Sequence, residues 1–271
     1  LSDNEKVSVI LLLGQSNASG CSVVQCLHDN LERDGKLSVY NKYQNGFENI
    51  LINYCLEDHL TTTDGDFKPV DLTCGSTEGF FGPEVGIADY LTTNSPKTKY
   101  IILKYAMSGY SIRGYWVDEN QNRASIYNAF LPFIKTYMDY ILLRGYDAKI
   151  TDICWMQGEK DGAEKESASR YQNNEKALFT YFREDLSSYC SKIGIVDAYI
   201  STLRGNPYAG VVNKAKLAVS KELSDIKILK TNGESMNALK LTFDEGENSH
   251  YNSESMYKLG VGFAKKAKKL F

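Results

Sequence analysis

The apolar run over residues 7–13 breaks abruptly into the polar residues Gly14-Gln15-Ser16-Asn17. A near-continuous apolar run is typical of a strand that is covered on both faces, as in a parallel sheet. The polar residues then lie at the carboxyl end of that strand, where open α/β sheets bind their ligands. Ser16 is therefore a candidate nucleophile, provided that a histidine reaches its hydroxyl.

Four further apolar, β-rich runs follow at residues 100–105, 150–156, 193–200 and 226–230. Helical patterns separate them, beginning at residue 84 and covering 126–143, 164–189, 208–223 and 253–270. Strands that alternate with helices imply parallel βαβ units. The predicted fold class is therefore α/β: a three-layer αβα sandwich of flavodoxin-like type, with a central, mainly parallel five-stranded sheet.

The segment at about residues 20–82 departs from this rhythm. It holds the turn signals Asp34-Gly35 and Asn45-Gly46, and it shows no long periodic element. We interpret it as a loop-rich insertion that helps to wall the site. The 271 residues fit one large α/β domain, so residues 1–271 are predicted to form a single domain.

Charge and hydropathy exclude two classes of partner. The net charge of −3 argues against a general nucleic-acid binder, which carries a basic face. No stretch approaches the roughly 20 apolar residues of a membrane span, so no membrane partner is expected. Strand one begins within a few residues of a polar start, which fits a secreted protein whose leader has been removed; a cytoplasmic location stays open.

The six cysteines are too few for a disulfide scaffold. Cys154 lies in an apparent buried strand and is interpreted as a small core residue. Cys21 and Cys26 lie in a predicted loop, where they can pair with each other or with Cys55 or Cys74, and Cys190 is the sixth. The sequence leaves these pairings open.

Three histidines limit the search for a general base: His28, His59 and His250. Glu247 precedes His250 by three residues, a spacing at which a carboxylate can orient the imidazole and leave its other nitrogen free to accept a proton from a serine. Asp244, six residues before His250, is the alternative acid. For His28 and His59 a solvated surface position is the better interpretation.

Two other strand ends supply hydrogen-bond donors. Gln157 follows the strand at 150–156, and its amide can donate to a developing oxyanion. Ser108-Gly109 follows the strand at 100–105, and glycine permits a close approach of its backbone N–H. The carboxyl ends of parallel strands share one edge of the sheet, so these groups are expected to meet near Ser16.

Five blocks in this order make the chain recognisable. They are Gly14-Gln15-Ser16-Asn17, Phe81-Gly82-Pro83-Glu84, Lys104-Tyr105-Ala106-Met107-Ser108-Gly109-Tyr110-Ser111-Ile112, Trp155-Met156-Gln157-Gly158-Glu159 and Glu247-Asn248-Ser249-His250. Through them the chain resembles the SGNH/GDSL hydrolase superfamily, and within it the sialate O-acetylesterases and acetylxylan esterases of carbohydrate esterase family six and its relatives. The blocks span nearly the whole chain and are specific for the group, though not for a substrate.

The resemblance implies a serine esterase that removes O-acetyl groups from carbohydrates through an acetyl-enzyme, with no metal or organic cofactor. It implies Ser16 as nucleophile, His250 as base and Glu247 as acid, where the family usually has Asp. The oxyanion hole is expected from the N–H groups of Ser16 and Gly109 and the Gln157 amide. Substrate binding is expected at Gln15, Asn17, Glu159, Ser108, Tyr110 and Arg113.

Two alternatives remain open at this point. Glu247 in place of Asp, and Ser108 in place of the first glycine of the family's pair, favour a carbohydrate-binding module that has lost catalysis. A short-chain lipase or thioesterase of the same superfamily is the other alternative. The two make different predictions about ester hydrolysis and about the length of the acyl chain.

Overall fold

The computed structural model of the protein describes residues 5–190, 192–202, 206–231, 239–243 and 249–267. Its strands are β1 (Lys6–Gly14), β2 (Ser22–Val23), β3 (Phe47–Leu56), β4 (Thr61–Thr62), β5 (Lys68–Val70), β6 (Phe80–Phe81), β7 (Lys99–Ala106), β8 (Asp147–Met156), β9 (Gly194–Ala198) and β10 (Ile226–Leu229). Its α-helices are α1 (Ser16–Ser19), α2 (Val24–Arg33), α3 (Leu37–Asn45), α4 (Glu84–Asn94), α5 (Ser125–Leu143), α6 (Glu159–Gly162), α7 (Lys165–Asp185), α8 (Ala209–Glu222) and α9 (Ser253–Ala267).

The main sheet has the strand order β10-β9-β8-β1-β7-β3-β4, and β5 also pairs with β3. The strands from β10 to β3 in this order are mutually parallel, whereas β4 and β5 are antiparallel to β3. Gly14 at the end of β1 lies opposite Ala106 of β7 and Met156 of β8. The three central strands therefore end at one level, and the residues that follow them share one edge of the sheet.

The α/β fold class is confirmed, and all five predicted strands are present. The apolar runs form β1, β7, β8, β9 and β10, and the last six residues of β1 are all buried. Unbroken burial means that both faces of the strand are covered, as the near-continuous apolar pattern predicts. The predicted count of five strands is too low, because β3 adds a sixth parallel strand at the edge of β7.

The prediction of a loop-rich insertion at 20–82 is wrong in its content. This segment contains α2, α3 and the ten-residue strand β3. Residues 47–56 mix Glu48, Asn49 and Asn53 with apolar residues, so the apolar run is interrupted and its periodicity is weak. Pairing with β7 and burial of the end of the strand, rather than local pattern, stabilise it.

Glycine fixes the close approach of backbones at two points. A Cβ on Gly14, whose φ is +147°, would lie 1.9 Å from the carbonyl oxygen of Met156. A Cβ on Gly260 of α9 would lie 1.9 Å from the carbonyl oxygen of Pro83 and 2.9 Å from the Cα of Gly86 in α4. Helix α9, which follows His250, is therefore held tightly against α4.

A buried ion pair supports the same region. Lys104 of β7 and Glu84 of α4 are fully buried, with Nζ 2.8 Å from Oε2. Lys104 also donates to the carbonyl of Cys74, and Glu84 accepts from the N–H of Gly82. Burial raises the pKa of Glu84, and the neighbouring ammonium opposes that shift. Two blocks of the sequence, at residues 81–84 and 104–112, thus meet in the interior rather than at a ligand.

The six cysteines all lie in the described residues, and no disulfide joins them. The pairings that the sequence left open for Cys21, Cys26, Cys55 and Cys74 therefore do not occur in this structure. Cys154 is buried in β8, as expected of a core residue. None of the helices in the described part of the chain has the length and apolar character needed to span a membrane.

Candidate active site

Ser16 lies directly after the central strand, as the first residue of the single-turn helix α1. The N–H of Gln15 donates to the carbonyl of Met156 at 3.0 Å, which fixes the turn against the end of β8. The Ser16 side chain forms no hydrogen bond with the described part of the chain, and its residue is 7% exposed. This hydroxyl is consequently available to a ligand or to a general base.

Asn17 connects Ser16 to the segment that carries His250. Its Nδ2 donates to the carbonyl of Ser249 at 3.1 Å, and its Oδ1 accepts from the N–H of Tyr251 at 3.2 Å. Both chain neighbours of His250 are thus hydrogen-bonded to the residue next to Ser16. The same Nδ2 donates to Glu159 Oε1 at 2.7 Å. Asn17 is therefore a buried link between three segments, not a surface residue that contacts substrate as expected.

Glu247 and Asp244, the two candidate acids, lie outside the described residues. His250 itself is described and partly buried. The assignment of the triad acid therefore rests on the sequence alone.

Gly109, the second proposed oxyanion donor, lies in an open part of the structure. The residue is exposed, its φ is +77°, and a Cβ built on it would have no neighbour within 4 Å. Within the described residues neither its N–H nor the N–H of Ser16 forms a hydrogen bond. Both groups keep the donor capacity that an oxyanion site needs.

Gln157 does not fit the donor role that the sequence suggested. Its side chain is fully buried, and its Nε2 donates to the carbonyl of Tyr110 at 3.2 Å and to Asp161 Oδ2 at 2.6 Å. Tyr171 donates to its Oε1 at 2.9 Å. Because an amide has two hydrogens and both are used, Gln157 has no donor left for an oxyanion in this conformation.

Two other expected substrate-binding residues support the loop after β8. The Oε1 of Gln15 accepts from the N–H groups of Gly158 and Lys160, both at 3.3 Å. Glu159 is 9% exposed and holds Asn17 through one oxygen, while its Oε2 has no hydrogen-bond partner in the described residues. Burial raises the pKa of Glu159, and the hydrogen bond from Asn17 opposes that shift.

Two further expected contacts are engaged elsewhere. Ser108 donates to Glu57 Oε1 at 2.6 Å, and Ser19 of α1 donates to the same oxygen. Arg113 pairs with Glu119 and Glu166, at 2.9 and 2.7 Å. Ser108 thus joins the loop after β7 to the end of β3, and the Arg113 charge is balanced by two carboxylates.

Tyr110, another expected substrate-binding residue, borders a cavity. The cavity is about 210 Å³ in volume and also includes Asp58 and His59, which follow β3. Glu57, Asp58 and His59 have φ values of 53°, 55° and 68°. Three successive non-glycine residues with positive φ are costly, and such backbone strain concentrates at functional sites. Asp and His enter this region more readily than most residues, but nothing in the sequence marks three successive residues of this kind as a turn.

His59 is exposed, as the sequence predicted, but its ring also has two close polar neighbours. Its Nδ1 lies 2.9 Å from Cys55 Sγ, and its Nε2 lies 3.4 Å from the Tyr105 hydroxyl. Burial raises the pKa of the Cys55 thiol to about 11, so the thiol keeps its proton and donates to Nδ1. These contacts suit an imidazole with its hydrogen on Nε2.

A buried charge cluster lies behind the loop after β8. Lys216 Nζ is 2.5 Å from Asp197 Oδ1 and 3.4 Å from Glu175 Oε1, and all three side chains are fully buried. Burial raises the pKa of both carboxyls, and the ammonium opposes the shift. Burial also raises the pKa of Asp161 to about 6, against hydrogen bonds from Gln157 and Ile112. The Lys216 ammonium also lowers the pKa of Glu159 and of Asp161, so the cluster is coupled electrostatically to the loop after β8.

One metal-ligand arrangement occurs within the described residues. His28, Asp29 and Glu32 bring one ligand atom each to within 4.8 Å of one another on α2, where the two carboxylates are exposed. Exposed acidic groups of this kind are common without a bound ion, and α2 lies outside the five sequence blocks.

Comparison with known families gives a match over almost the whole chain. The family described as "Carbohydrate esterase, sialic acid-specific acetylesterase" matches residues 6–269. The match confirms the resemblance that the five sequence blocks carry. A comparison with curated protein sequences finds no match.

Solved structures share the fold at low sequence identity. A protein from Arabidopsis thaliana is 20% identical with a TM-score of 0.66, over 99% of each chain. NanS is 13% identical with a TM-score of 0.65, over 100% of this chain and 98% of that one. A carbohydrate acetylesterase from Xanthomonas citri is 14% identical with a TM-score of 0.59, over 97% of this chain and 56% of that one. At these identities the likeness establishes the fold.

Proposed function

Because this chain belongs to the carbohydrate esterase family of sialic acid-specific acetylesterases, we propose that it removes O-acetyl groups from carbohydrates with Ser16 as nucleophile and His250 as general base. Membership in the family makes it a carboxylic ester hydrolase. The observation that carries the assignment of residues is the Asn17 link, since it bonds both chain neighbours of His250 beside Ser16.

The proposed reaction has two steps. His250 takes the proton of the Ser16 hydroxyl while Oγ forms a bond to the acetyl carbonyl carbon. The tetrahedral intermediate then expels the sugar oxygen, which receives the proton from His250. Water next attacks the acetyl-enzyme with His250 again as base, and acetate leaves as Ser16 regains its proton.

The oxyanion is proposed to lie between the N–H groups of Ser16 and Gly109. Both donors are unused within the described residues, and the space beside Gly109 is open. Such donors act in a partly dry site and need no reorganisation as charge develops on the carbonyl oxygen. Gln157 is proposed to support the oxyanion site indirectly. Its amide donates to the carbonyl of Tyr110 and so positions the loop that carries Gly109.

Glu247 is proposed as the acid that orients His250, with Asp244 as the alternative. A carboxylate in this role stabilises the imidazolium and fixes its tautomer. Replacing each in turn distinguishes them: the acid's variant loses turnover, and the other variant does not.

Hydrolysis of p-nitrophenyl acetate tests the proposal. The Ser16→Ala variant is expected to lose about 1,000-fold or more in kcat, as removal of a triad member does. Ser169→Ala is the matched control, because this serine is exposed on α7 and bonds only to the Glu166 carbonyl. Equal, background-level hydrolysis by the unaltered protein and by Ser16→Ala would contradict the proposal and favour a carbohydrate-binding role. A preference for long acyl chains in a series of p-nitrophenyl esters would instead favour a lipase or thioesterase.

A further inference from the structure

A cavity opens beside the loop that carries Gly109, at the carboxyl ends of β7 and β3. Its volume is about 210 Å³. Its lining consists of Asp58, His59, Tyr105, Met107, Tyr110, Tyr115, Ser125, Ile126 and Ala129. Tyr110 is the chain neighbour of Gly109, so the cavity borders the loop that carries the proposed oxyanion donor. The inference drawn from this cavity rests on the proposed esterase function.

The walls of the cavity combine aromatic rings with a polar rim. The Tyr110 and Tyr115 rings pack edge to face with centroids 4.6 Å apart, and Tyr115 is 41% exposed. Tyrosines offer an apolar face and a polar tip, which suits a ligand that is itself apolar on one side and hydroxylated on its edge. A pyranose ring has this character, since its C–H groups form a face and its hydroxyls lie around the ring.

The charges around the cavity select between classes of sugar. Asp58 Oδ2 accepts a hydrogen bond from the Tyr110 hydroxyl at 3.0 Å, which leaves the other carboxylate oxygen able to accept from a sugar hydroxyl. The residues that line the cavity, all of them described, include neither lysine nor arginine. Arg113, on the same loop, pairs with Glu119 and Glu166. A carboxylate in a cavity whose lining has no lysine or arginine disfavours an anionic ligand, because like charges brought together cost binding energy.

We propose that this cavity is the subsite for the pyranose ring next to the acetyl ester, and that it accepts neutral sugars in preference to sialic acids. Tyr115 and Tyr110 contact the ring face, and Asp58 accepts from a ring hydroxyl. The turn at Glu57–His59 positions Asp58 at the rim of the cavity. Preference for the neutral sugar comes from the negative charge of Asp58, which repels the carboxylate of a sialic acid.

Kinetics on three esters test the subsite. The unaltered protein is expected to show a kcat/KM at least about tenfold higher on an acetylated methyl xyloside than on an O-acetylated sialic acid. Tyr115→Ala is expected to lower kcat/KM on the xyloside about tenfold, mainly through KM, and to lower it less on p-nitrophenyl acetate, which has no pyranose. Asp58→Lys is expected to reverse the charge selection. It should raise kcat/KM on the sialic acid ester relative to kcat/KM on the xyloside. Tyr140→Ala, which changes a 45% exposed tyrosine on α5 outside the cavity lining, is the control and leaves all three rates unchanged.

Binding by the Ser16→Ala protein gives a second readout that needs no turnover. Calorimetric titration with a xylo-oligosaccharide is expected to show binding that Tyr115→Ala weakens about tenfold and Tyr140→Ala does not. Preference of the unaltered protein for the sialic acid ester, or equal effects of Tyr115→Ala and Tyr140→Ala in both experiments, would overturn the subsite. Loss of hydrolysis with sugar binding intact would instead count against the esterase function alone.

Discussion

The Oδ1 of Asn17 accepts a hydrogen bond from the N–H of Tyr251 at 3.2 Å, across 234 positions of sequence. This contact joins the residue after the candidate nucleophile to the residue after the candidate base. Together with the bond from Asn17 Nδ2 to the Ser249 carbonyl, it fixes the backbone on both sides of His250. The geometry of the proposed Ser16–His250 pair thus depends on a side chain that takes no part in the chemistry.

Asn17→Ala is therefore expected to lower kcat on p-nitrophenyl acetate by about 100-fold, since small displacements of catalytic groups have large effects on rate. Unfolding in urea should show a loss of about 2 kcal/mol, because Glu159 and two backbone groups lose their partner. Asn53→Ala is the control: Asn53 of β3 is equally buried, and its amide donates to the carbonyl of Asp66. If both variants lose stability but neither loses kcat, the positioning role of Asn17 is wrong.

Gly109→Ala tests the proposed oxyanion donor. The added methyl group meets no neighbour within 4 Å, so its effect comes from the φ of +77°, which costs about 1 kcal/mol in an alanine and turns the N–H away. We expect kcat to fall about 100-fold, as for loss of one oxyanion donor. Gly114→Ala is a matched control on the same loop, with φ +83° and open space, but its N–H already donates to Val117. Equal losses in the two variants would count against the Gly109 donor.

Gln157→Met distinguishes a supporting amide from an oxyanion donor. Methionine has a similar size but leaves the Asp161 carboxylate without one of its donors, so we expect a loss of about 2 kcal/mol in urea unfolding. Turnover should fall together with stability, because the Tyr110 carbonyl is released. A large fall in kcat with unchanged stability would instead assign Gln157 to the oxyanion hole.

Lys216→Met removes the only cation in contact with Asp197 and Glu175 among the described residues. At pH 8 we expect a destabilisation of about 3–5 kcal/mol, the cost of leaving buried charge uncompensated. Burial raises the pKa of both carboxyls, so they take up protons readily as the pH falls and the deficit should shrink toward pH 5.5. Lys214→Met, an exposed lysine on the same helix, should change little at either pH. A deficit that does not depend on pH would contradict this account.

Asp152→Asn is expected to stabilise the protein at neutral pH. Burial raises the pKa of Asp152 from 3.8 to about 6. A carboxyl with a raised pKa holds its proton better in the folded state, so it favours folding at low pH and that contribution is lost as pH rises from about 4 to about 6. Asparagine carries no charge, so the gain should reach about 3 kcal/mol above pH 7 and nearly vanish below about pH 4.

Thermal and urea unfolding across this pH range measure the Asp152 effect. Asp147→Asn is the control, because Asp147 is an exposed residue on the same strand. If the free energy of unfolding changes with pH in the same way for Asp152→Asn and for the unaltered protein, Asp152 does not contribute to the pH dependence of stability.

The strands and the sequence blocks could be predicted because their signals are local. The unbroken apolar run of β1 and the Gly14 that ends it determine a buried parallel strand with Ser16 at its carboxyl end. Strand β3 is not predictable in this way, because polar residues interrupt its apolar run and its pairing with β7 is a tertiary contact. The sequence left the cysteine pairings open for a similar reason, since distance in space is not a property of spacing along the chain. The contacts of the exposed His59 with Cys55 and Tyr105 are likewise tertiary.

The sequence by itself determined the α/β fold, the family blocks and the residue types that meet at the sheet edge. Only the tertiary structure decided what each of them does there. Gln15, Asn17, Gln157 and Glu159 have the same polar side chains whether they contact a ligand or one another, and the structure uses them to join loops that lie far apart in the chain. Hydrogen bonds are short-ranged and directional, so which donors remain free for a substrate depends on how the loops pack around them.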